Sequence, residues 1–337
     1  MIVITGASGL IGRAIAASAL RQGHAVRLQG RRAQAVADAL CSLEINEPLE
    51  VVELDFKTAD HSEIDRLMNG CTTVIHCAGL VHQPSASPAQ YDALNLRATQ
   101  MVASAAKRAC AEAFVFFSTS AVYGGGPFVD VDEEFDPNPD TPYGISKLRA
   151  ELWLKDNQPS ARTIVLRPSL VFGEGDRGNL FSLLKQINKG IYFHIGGNKA
   201  KKSLIYAADV ALAVERCLAR LDAGYHLFNL SNPRTVDVTE LSDLIATCLG
   251  RLPPPTVPGI IVRAGAKMGG AILGNKSPLT VQKMDKLMTT TTCSVKKLVG
   301  ATGFVPAVPL DQAIGAEVQW ARASGLLGSS ELRPSRS

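Results

Sequence analysis

Short apolar runs alternate with helical patterns of apolar residues over the first half of the chain. The runs span four to seven residues, which is too short for a helix but suits a strand in a buried sheet. The predicted strands cover residues 2–5, 24–29, 50–55, 73–79, 113–118 and 163–167. The predicted helices cover residues 13–22, 33–43, 62–68, 91–108 and 141–157. This alternation predicts an α/β fold, a doubly wound parallel sheet of the Rossmann type with right-handed crossovers.

The regular alternation ends at Pro168, where we expect a smaller α+β lobe to begin. Helices are predicted over 180–189, 208–219, 237–249 and 310–324, and strands over 203–206 and 226–230. An Asp-x-x-Glu capping box is predicted at Asp237. A loop is expected over 124–140, a basic bend over 199–202 and a stiff proline-rich connector over 251–258. The predicted domains are therefore a parallel-sheet domain over 1–167 with a return segment at about 203–230, a lobe over 168–202 and 231–325, and a flexible tail over 326–337.

Three glycines spaced three residues apart follow the first predicted strand and open the first predicted helix. Gly6 allows a tight turn, Gly9 lets the backbone approach a pyrophosphate, and Gly12 allows close packing of helix on strand. The helix amides would then face the anion. The pattern predicts a dinucleotide site with contacts from Gly6, Ser8, Gly9, Leu10 and Ile11.

The end of the second predicted strand is expected to choose the cofactor. An acidic residue there binds both ribose hydroxyls of NAD, whereas an arginine pairs with the 2′-phosphate of NADP. Here Gly30, Arg31 and Arg32 stand at that position. The sequence therefore favours NADP(H) and leaves NAD(H) open, because both arginines could instead be solvated residues at the start of a helix.

Two further strand ends are expected to border the cofactor. Asp55 and Phe56 follow the third strand, where an adenine would be flanked. Ala78 and Gly79 end the fourth strand, and their small size would let the backbone pass close to the cofactor. A plain glycine at a strand end is the alternative for the second pair.

Hydroxyl groups follow the fifth strand, at the edge where doubly wound sheets bind ligands. They belong to Ser118, Thr119 and Ser120. Tyr143 and Lys147 are four apart on the next predicted helix, so a phenol and an ammonium lie on one helical face. The intervening acidic loop is interpreted as solvated.

Composition and charge argue against nucleic-acid binding and against a metal site. The 337 residues carry a net charge of +4, and no basic tract indicates nucleic-acid binding. Seven cysteines form no Cys-x-x-Cys pair, so we expect reduced core thiols and no metal site.

No apolar run approaches the roughly 18 residues of a membrane span, and no charged leader precedes the first strand. We expect a cytoplasmic protein with no integral membrane segment; peripheral contact through residues 258–273 is a minor alternative.

Taken together, these motifs resemble the extended short-chain dehydrogenase/reductases over residues 1–320. The resemblance is closer to the nucleotide-sugar epimerase/dehydratase family. The matching segments are Thr5–Gly12, Ser118–Ser120, Tyr143–Lys147, Asn95–Thr99, Val122–Gly124, Leu166–Gly173 and Ile205–Asp209.

The resemblance implies that Thr119, Tyr143 and Lys147 are catalytic. Lys147 orients the ribose and lowers the pKa of the Tyr143 phenol together with the nicotinamide charge. Tyr143 exchanges a proton with a sugar oxygen that Thr119 holds. The cofactor contacts implied in addition are Asn95, Pro168, Tyr143 and Lys147.

Substrate contacts are implied at Ser120, Asn179 and Lys202. Lys202 aligns with an arginine that binds the substrate diphosphate in the family, and supplies charge without the bidentate fork. Asn179 is expected to contact the diphosphate or the sugar, although it could instead cap the helix that follows.

The expected reaction is hydride transfer at C4 of a nucleotide-activated sugar, with a UDP-linked substrate. Ala121 replaces the glutamate that eliminates water in similar dehydratases, which disfavours dehydration. The arginine pair favours a reductase that uses NADPH. Residues 179–202 and the segment from Pro253 resemble 4-ketoreductases of surface-polysaccharide sugar synthesis, which implies a UDP-4-keto-hexosamine 4-ketoreductase; a 4-epimerase with retained NAD is the alternative. A non-enzymatic NADP-sensing regulator is a third reading, opposed by the Tyr-x-x-x-Lys pair. Whether the protein forms a homodimer stays open.

Overall fold

A parallel sheet forms the centre of the molecule. The computed structural model describes residues 1–41, 49–81, 83, 85–264 and 281–327. In these ranges the sheet has seven strands, and every neighbouring pair is parallel. In spatial order they are β3 (Glu50–Glu53), β2 (Val26–Gly30), β1 (Ile2–Thr5), β4 (Thr73–His76), β5 (Ala113–Phe117), β7 (Arg162–Pro168) and β12 (Gly224–Leu230). The strand order reverses between β1 and β4, and ligands bind at such a switch point in doubly wound sheets.

Helices cover both faces of this sheet, as the alternation predicts. They include α1 (Leu10–Arg21), α2 (Ala33–Leu40), α3 (His61–Met68), α5 (Ala98–Arg108), α6 (Pro142–Asn157) and α8 (Ala207–Arg220). Successive residues of β5 enter opposite cores: Val115 packs with Ile15, whereas Phe114 packs with Ile64. All five residues of β5 are buried. The predicted α/β doubly wound fold is confirmed.

The helix predicted over 91–108 is interrupted. It comprises α4 (Pro88–Tyr91), a π-helical segment (Asp92–Arg97) and α5. Such π turns occur frequently at functional sites, and this one carries Asn95. The helix predicted over 33–43 ends at Leu40; its residues 42 and 43 lie outside the described ranges.

A second, smaller sheet corrects two sequence predictions. It contains β13 (Val236–Asp237), β10 (Lys201–Lys202), β15 (Thr291–Cys293) and β6 (Phe128–Val131), in that spatial order. The predicted loop 124–140 thus contains a strand, and so does the predicted bend 199–202. Each strand forms only through partners distant in sequence, which local patterns do not reveal.

Two short strand pairs complete the lobe. One joins β8 (Leu170–Phe172) to β11 (Leu204–Tyr206), and the other joins β9 (His194–Gly196) to β14 (Thr256–Pro258). The predicted connector 251–258 therefore contributes a strand. The helices of the lobe are α7 (Asn179–Asn188), α9 (Val238–Leu249), α10 (Val281–Met288), α11 (Lys296–Thr302) and α12 (Leu310–Ala323).

The capping box predicted at Asp237 is wrong. Asp237 is the N-cap of α9, but its side chain makes no capping hydrogen bond. Glu240, the other half of the predicted box, pairs with Arg234 instead. An ion pair with a residue before the helix has replaced the reciprocal cap.

The cysteines are only partly core residues. Cys71, Cys217 and Cys293 are buried, whereas Cys41 and Cys110 are exposed, and all seven are free thiols. In the described ranges, no helix combines the length and apolarity needed to cross a membrane. Most of segment 258–273 and all but the first two residues of the predicted tail 326–337 lie outside those ranges.

The C-terminal segment returns to the core of the parallel sheet. Leu298 on α11 and Phe304 after it are both 0% exposed. They pack in the same cluster as Leu28 of β2 and Phe228 of β12. The division of the chain into two domains stays a prediction, but the late segment contributes to the core of the first.

Candidate functional site

The glycine loop connects β1 to α1 through contacts that exclude side chains. Gly6 has φ +64°, a conformation that favours glycine. The amide of Gly9 donates to the Gly6 carbonyl over 2.9 Å, and a Cβ on Gly12 would lie 2.3 Å from that carbonyl oxygen. Ser8 and Gly9 are exposed, and Leu10 and Ile11 are half-buried at the start of α1. The loop therefore presents backbone to an anion at a helix N-terminus, and its residues fit a dinucleotide pyrophosphate.

Gln29 holds this loop in place, a role that the sequence analysis missed. Its side chain is buried; Oε1 accepts from the Gly6 amide over 2.9 Å, and Nε2 donates to the Leu54 carbonyl over 2.6 Å. One amide side chain of β2 thus connects the loop after β1 to the end of β3. The available signal was a glutamine at the end of an apolar run.

The surroundings of the β2 end include an acidic group that the sequence of β2 does not supply. Arg31 and Arg32 are exposed, as a contact with a 2′-phosphate requires. A Cβ on Gly30 would lie 2.4 Å from Cγ2 of the buried Val36. Beside Gly30 on β3, the Glu53 carboxylate accepts from the Ala33 amide over 2.5 Å. An acidic group is present at this strand edge, supplied by a residue that the sequence analysis did not select.

Asp55 and Phe56 occupy different surroundings. Asp55 is half-buried and its Oδ1 accepts from the Lys57 amide over 3.0 Å. The Phe56 ring is buried edge-on to His76, with ring centroids 6.1 Å apart. Little of the Phe56 side chain is therefore open to an adenine.

Asn95 fixes the end of β4 beside the glycine loop. Its Oδ1 accepts from the Leu80 amide over 2.7 Å, and its Nδ2 donates to the Leu80 carbonyl and to Ser146 Oγ, both over 3.0 Å. A Cβ on Gly79 would lie 2.9 Å from Asn95 Oδ1 and 3.4 Å from Lys147 Nζ. Gly79 is therefore more than a strand end, because a Cβ there would displace the Asn95 side chain and contact Lys147. Ala78 contacts the loop directly, since a Cβ on Gly6 would lie 2.8 Å from Ala78 backbone atoms.

A buried histidine joins β1 to β4 beneath these loops. His76 Nδ1 lies 2.8 Å from Thr5 Oγ1, and Nε2 lies 3.1 Å from Thr99 Oγ1. Thr99 donates to the Asn95 carbonyl, and Thr5 accepts from the Ala78 amide. Burial, with the Lys147 charge, lowers the pKa of His76 to about 3, so the ring is neutral at physiological pH. The sequence analysis missed this contact.

The structure brings Thr119, Tyr143 and Lys147 together at the carboxyl edge of the sheet. Thr119 precedes a 3-10 turn (Ser120–Tyr123), and its side chain hydrogen-bonds to Tyr143. Tyr143 and Lys147 lie in the first half of α6, which begins at Pro142 behind the Thr141 cap. Lys147 Nζ donates to the Phe117 carbonyl over 2.7 Å and lies 4.6 Å from the centroid of the Phe116 ring.

Burial controls the titration of both groups. It raises the pKa of the Tyr143 phenol to about 12, against a smaller lowering by the hydrogen bond to Thr119. It lowers the pKa of Lys147 to about 8, which the nearby Cys77 and Glu151 oppose. The group that lowers the pKa of this phenol is Thr119 rather than Lys147, and desolvation of the phenolate outweighs its effect. A nicotinamide cation would act in the opposite direction.

Ser120 and Pro168 border the same edge. Ser120 is half-buried at the start of the 3-10 turn, next to Ala121, whose amide donates to Thr119 Oγ1 over 3.1 Å. Pro168 is buried at the end of β7 and lies opposite Leu230 of β12. Both lie at the carboxyl edge of the sheet, and their contacts with substrate and cofactor stay predictions.

The two predicted diphosphate contacts have different surroundings. Asn179 is exposed at the first position of α7, and the N-cap is Gly178. Asp176 binds the amides there instead, accepting from Gly178 over 2.7 Å and Phe181 over 3.4 Å. The capping alternative for Asn179 is therefore wrong, and its side chain is free for another role.

Lys202 is engaged within its own lobe. Its Nζ donates to the carbonyls of Lys286 and Thr289 over 3.2 and 2.6 Å and to Thr291 Oγ1 over 3.3 Å. Burial lowers the pKa of this ammonium to about 8, and Lys286 adds to the effect. These contacts bind the end of α10 to β10.

Comparison with known proteins shows one matching family and several similar proteins. A profile described as the NAD-dependent epimerase/dehydratase family matches residues 2–231. The chain is 27% identical over 270 residues to an N-acetyl-α-D-glucosaminyl-diphospho-ditrans,octacis-undecaprenol 4-epimerase of Escherichia coli O157:H7, covering 77% of this chain and 81% of that protein. It is 27% identical over 262 residues to a UDP-glucose 4-epimerase of Vibrio cholerae, covering 74% of this chain and 76% of that protein.

A solved structure matches over nearly the whole length. The UDP-glucuronic acid 4-epimerase of Bacillus cereus in complex with NAD superposes with a TM-score of 0.74, covering 96% of this chain and 99% of that one. The sequence identity is 20%, so the match concerns the fold.

Proposed function

The chain belongs to the NAD-dependent epimerase/dehydratase family, and on this basis we propose that it transfers hydride at C4 of a nucleotide-activated sugar. The observation that carries the proposal is the cluster of Thr119, Tyr143 and the buried Lys147 at the carboxyl edge of β5, beside Gly79. A phenol, a hydroxyl and an ammonium at this place suit proton exchange with an alcohol or ketone oxygen.

The chain's own residues perform the binding and the proton transfer. A bound nicotinamide supplies or accepts the hydride. We propose that the glycine loop holds the pyrophosphate and that Lys147 and the Gly79 backbone border the nicotinamide ribose. Thr119 holds the C4 oxygen of the sugar. Tyr143 donates its proton to that oxygen when C4 is reduced, and takes it back when C4 is oxidised.

Dehydration is disfavoured at this site. Ala121 stands where similar dehydratases carry the glutamate that eliminates water, and its amide is bound to Thr119.

In the reductive direction one hydride joins C4 of the sugar, one proton joins the C4 oxygen, and the cofactor is oxidised. We propose a UDP-4-keto-hexosamine as the substrate of this 4-ketoreductase.

The cofactor proposed is NADP(H). Its support is the pair of exposed guanidinium groups, Arg31 and Arg32, next to a glycine at the end of β2. A charge-assisted contact between a guanidinium and a phosphate is roughly twice as strong as a neutral hydrogen bond.

A 4-epimerase is the second candidate, supported by two relatives named as 4-epimerases. An epimerase keeps its cofactor through both half-reactions, whereas a reductase releases it oxidised. Mass spectrometry of the nucleotide that purifies with the protein distinguishes the two candidates. A retained cofactor supports the epimerase, and an empty site supports the reductase. A reductase is expected to consume one NADPH per 4-keto sugar; interconversion of two C4 epimers without net oxidation would replace it by the epimerase.

The test of the site is Tyr143→Phe. We expect single-turnover hydride transfer to fall by about 10²-fold or more, because the ring is kept and only the proton is lost. Cofactor affinity should be unchanged. Tyr91→Phe is the matched control, since its ring centroid lies 6.2 Å from that of Tyr143 and its hydroxyl contacts Gln83. A loss below about tenfold for Tyr143→Phe, equivalent to 1.4 kcal/mol in the barrier, would show that Tyr143 is not the acid or base.

A further inference from the structure

We propose that Glu53, on the neighbouring strand, is a specificity-determining residue of the dinucleotide site and limits the preference for a 2′-phosphate that Arg31 and Arg32 provide. This inference depends on the proposed function, because it takes the dinucleotide site as given. It concerns only how this chain distinguishes the two forms of the cofactor.

An acidic side chain at the end of β2 itself would disturb the core packing. A Cβ on Gly30 would lie 2.4 Å from Cγ2 of Val36, a residue of α2 that is fully buried in the core. Any side chain at position 30 therefore requires Val36 to move. Gly30→Asp, the substitution that the sequence alone would suggest for converting the cofactor preference, would disturb the packing of α2 as well as the charge.

Glu53 brings a carboxylate to the same place. It lies opposite Gly30 in the β2–β3 register, and its side chain is exposed. Its Oε1 accepts from the Ala33 amide over 2.5 Å. Ala33 is the first residue of α2, and its N-cap, Arg32, makes no side-chain capping bond. The carboxylate of β3 thus satisfies the amide that follows the two arginines.

That amide is where a 2′-phosphate would find its backbone donor. A phosphate on the ribose at the end of β2 would meet the start of α2 and the guanidinium groups of Arg31 and Arg32. The Glu53 carboxylate already accepts from the Ala33 amide. Its negative charge would lie beside a phosphate that carries about two negative charges. The two arginines attract the phosphate and Glu53 repels it, so the preference is the difference between these effects. A ribose with a free 2′-hydroxyl meets no such repulsion.

The test is the ratio of dissociation constants for NADP⁺ and NAD⁺, measured by calorimetry on the full chain. Glu53→Gln keeps the shape and an acceptor for Ala33 but removes the charge. We expect this variant to shift the ratio toward NADP⁺ by about tenfold or more, mainly through tighter NADP⁺ binding. Arg31→Gln and Arg32→Gln should shift it in the opposite direction.

Glu50→Gln is the matched control. Glu50 lies at the other end of β3 and pairs with Arg27, so the same charge is removed far from the ribose and the ratio should stay within twofold. Glu53→Ala provides a second variant if Glu53→Gln melts early. A ratio that moves less than twofold in both Glu53 variants, or equal weakening of both dinucleotides, would reduce Glu53 to a structural cap and overturn the inference. If the wild type binds neither dinucleotide, the proposed function fails first.

Discussion

Glu317 carries a carboxyl group whose burial opposes its ionisation. It is 0% exposed on α12, and its Oε2 accepts from the Gly173 amide over 3.1 Å. Its Oε1 has no hydrogen-bond partner among the described residues. Burial, followed by the charges of Asp176 and Glu174, raises the pKa of this carboxyl from 4.5 to about 8. We therefore expect Glu317 to be neutral in the folded protein at pH 7.

This makes the stability of the wild type dependent on pH. Between pH 4.5 and about 8 the folded chain binds the Glu317 proton and the unfolded chain does not. The contribution of the neutral group is complete below the unfolded pKa and is lost as the pH rises through the folded one, by at most about 1.4 kcal/mol per pH unit. Urea unfolding of Glu317→Gln at several pH values should show a shallower fall than the wild type.

The control for this measurement is Glu240→Gln, a helical glutamate in an exposed ion pair with Arg234. It should keep the slope of the wild type. Parallel curves for Glu317→Gln and wild type would mean that Glu317 is charged in the folded state.

At the scale of an element, helix α6 carries two ion pairs of opposite character. Glu151 on its inner face binds Arg167 of β7 over 2.7 Å, with side chains 3% and 4% exposed. Arg149 on its outer face binds Asp92 over the same distance, with side chains 51% and 38% exposed. Arg167 also donates to the Tyr123 hydroxyl over 2.9 Å. The inner pair thus connects the helix that bears Tyr143 and Lys147 to the sheet and to the turn after Thr119.

Glu151→Gln should lower the free energy of unfolding by about 3–5 kcal/mol, because it leaves a buried guanidinium without its counter-charge. Asp92→Asn, which breaks the exposed pair of the same helix, should lower it by about 1 kcal/mol or less. Chemical denaturation of both variants measures the difference. Similar losses in the two would mean that water reaches Arg167.

At the scale of the whole molecule, the core of the parallel sheet is completed from the far end of the chain. The family profile ends at residue 231, yet Leu298 and Phe304 are fully buried in the core cluster of the sheet. Strand β15 also lies between β10 and β6. The core of residues 2–231, which match the family, is therefore completed by side chains from beyond residue 231.

Phe304→Ala should accordingly lower the free energy of unfolding of the whole protein by about 3–5 kcal/mol, the range for a buried phenylalanine. Phe135→Ala is the control, since Phe135 is 45% exposed and should lose about 1 kcal/mol or less. A single urea transition is expected for both variants. Two separate transitions, with the first unaffected by Phe304→Ala, would show that the late segment folds apart from the sheet.

The parallel sheet and its glycine loop could be predicted because their signals are local. Runs such as Ala113–Phe117 are apolar throughout since both faces of the sheet are covered. Gly6, Gly9 and Gly12 lie within one short loop whose spacing follows from one strand, one turn and one helix. Tyr143 and Lys147 share a face because the period of the helix places residues four apart together. The family followed from these local motifs.

Contacts between segments far apart in sequence could not be predicted in the same way. Gln29, Glu53 and His76 act on groups 20 or more positions away, and nothing near each residue marks its partner. The strand in 124–140 pairs with β15, and the strand in 199–202 lies between β13 and β15, so the partners of both are distant in sequence. One local contact was also missed: Asp176, rather than Asn179, binds the amides at the start of α7, because the turn before the helix folds back on it.

The sequence by itself determined the order of strands and helices in the parallel sheet, the glycine loop and the shared helical face of the Tyr143 and Lys147 side chains, since each depends on residues within one or two turns of backbone. The tertiary structure alone decided how those groups are charged and what surrounds them. Burial, which no local pattern measures, raises the pKa of Tyr143 to about 12 and lowers that of Lys147 to about 8. Strand pairing placed the Glu53 carboxylate opposite Gly30, because the register of a sheet joins residues that the chain keeps apart.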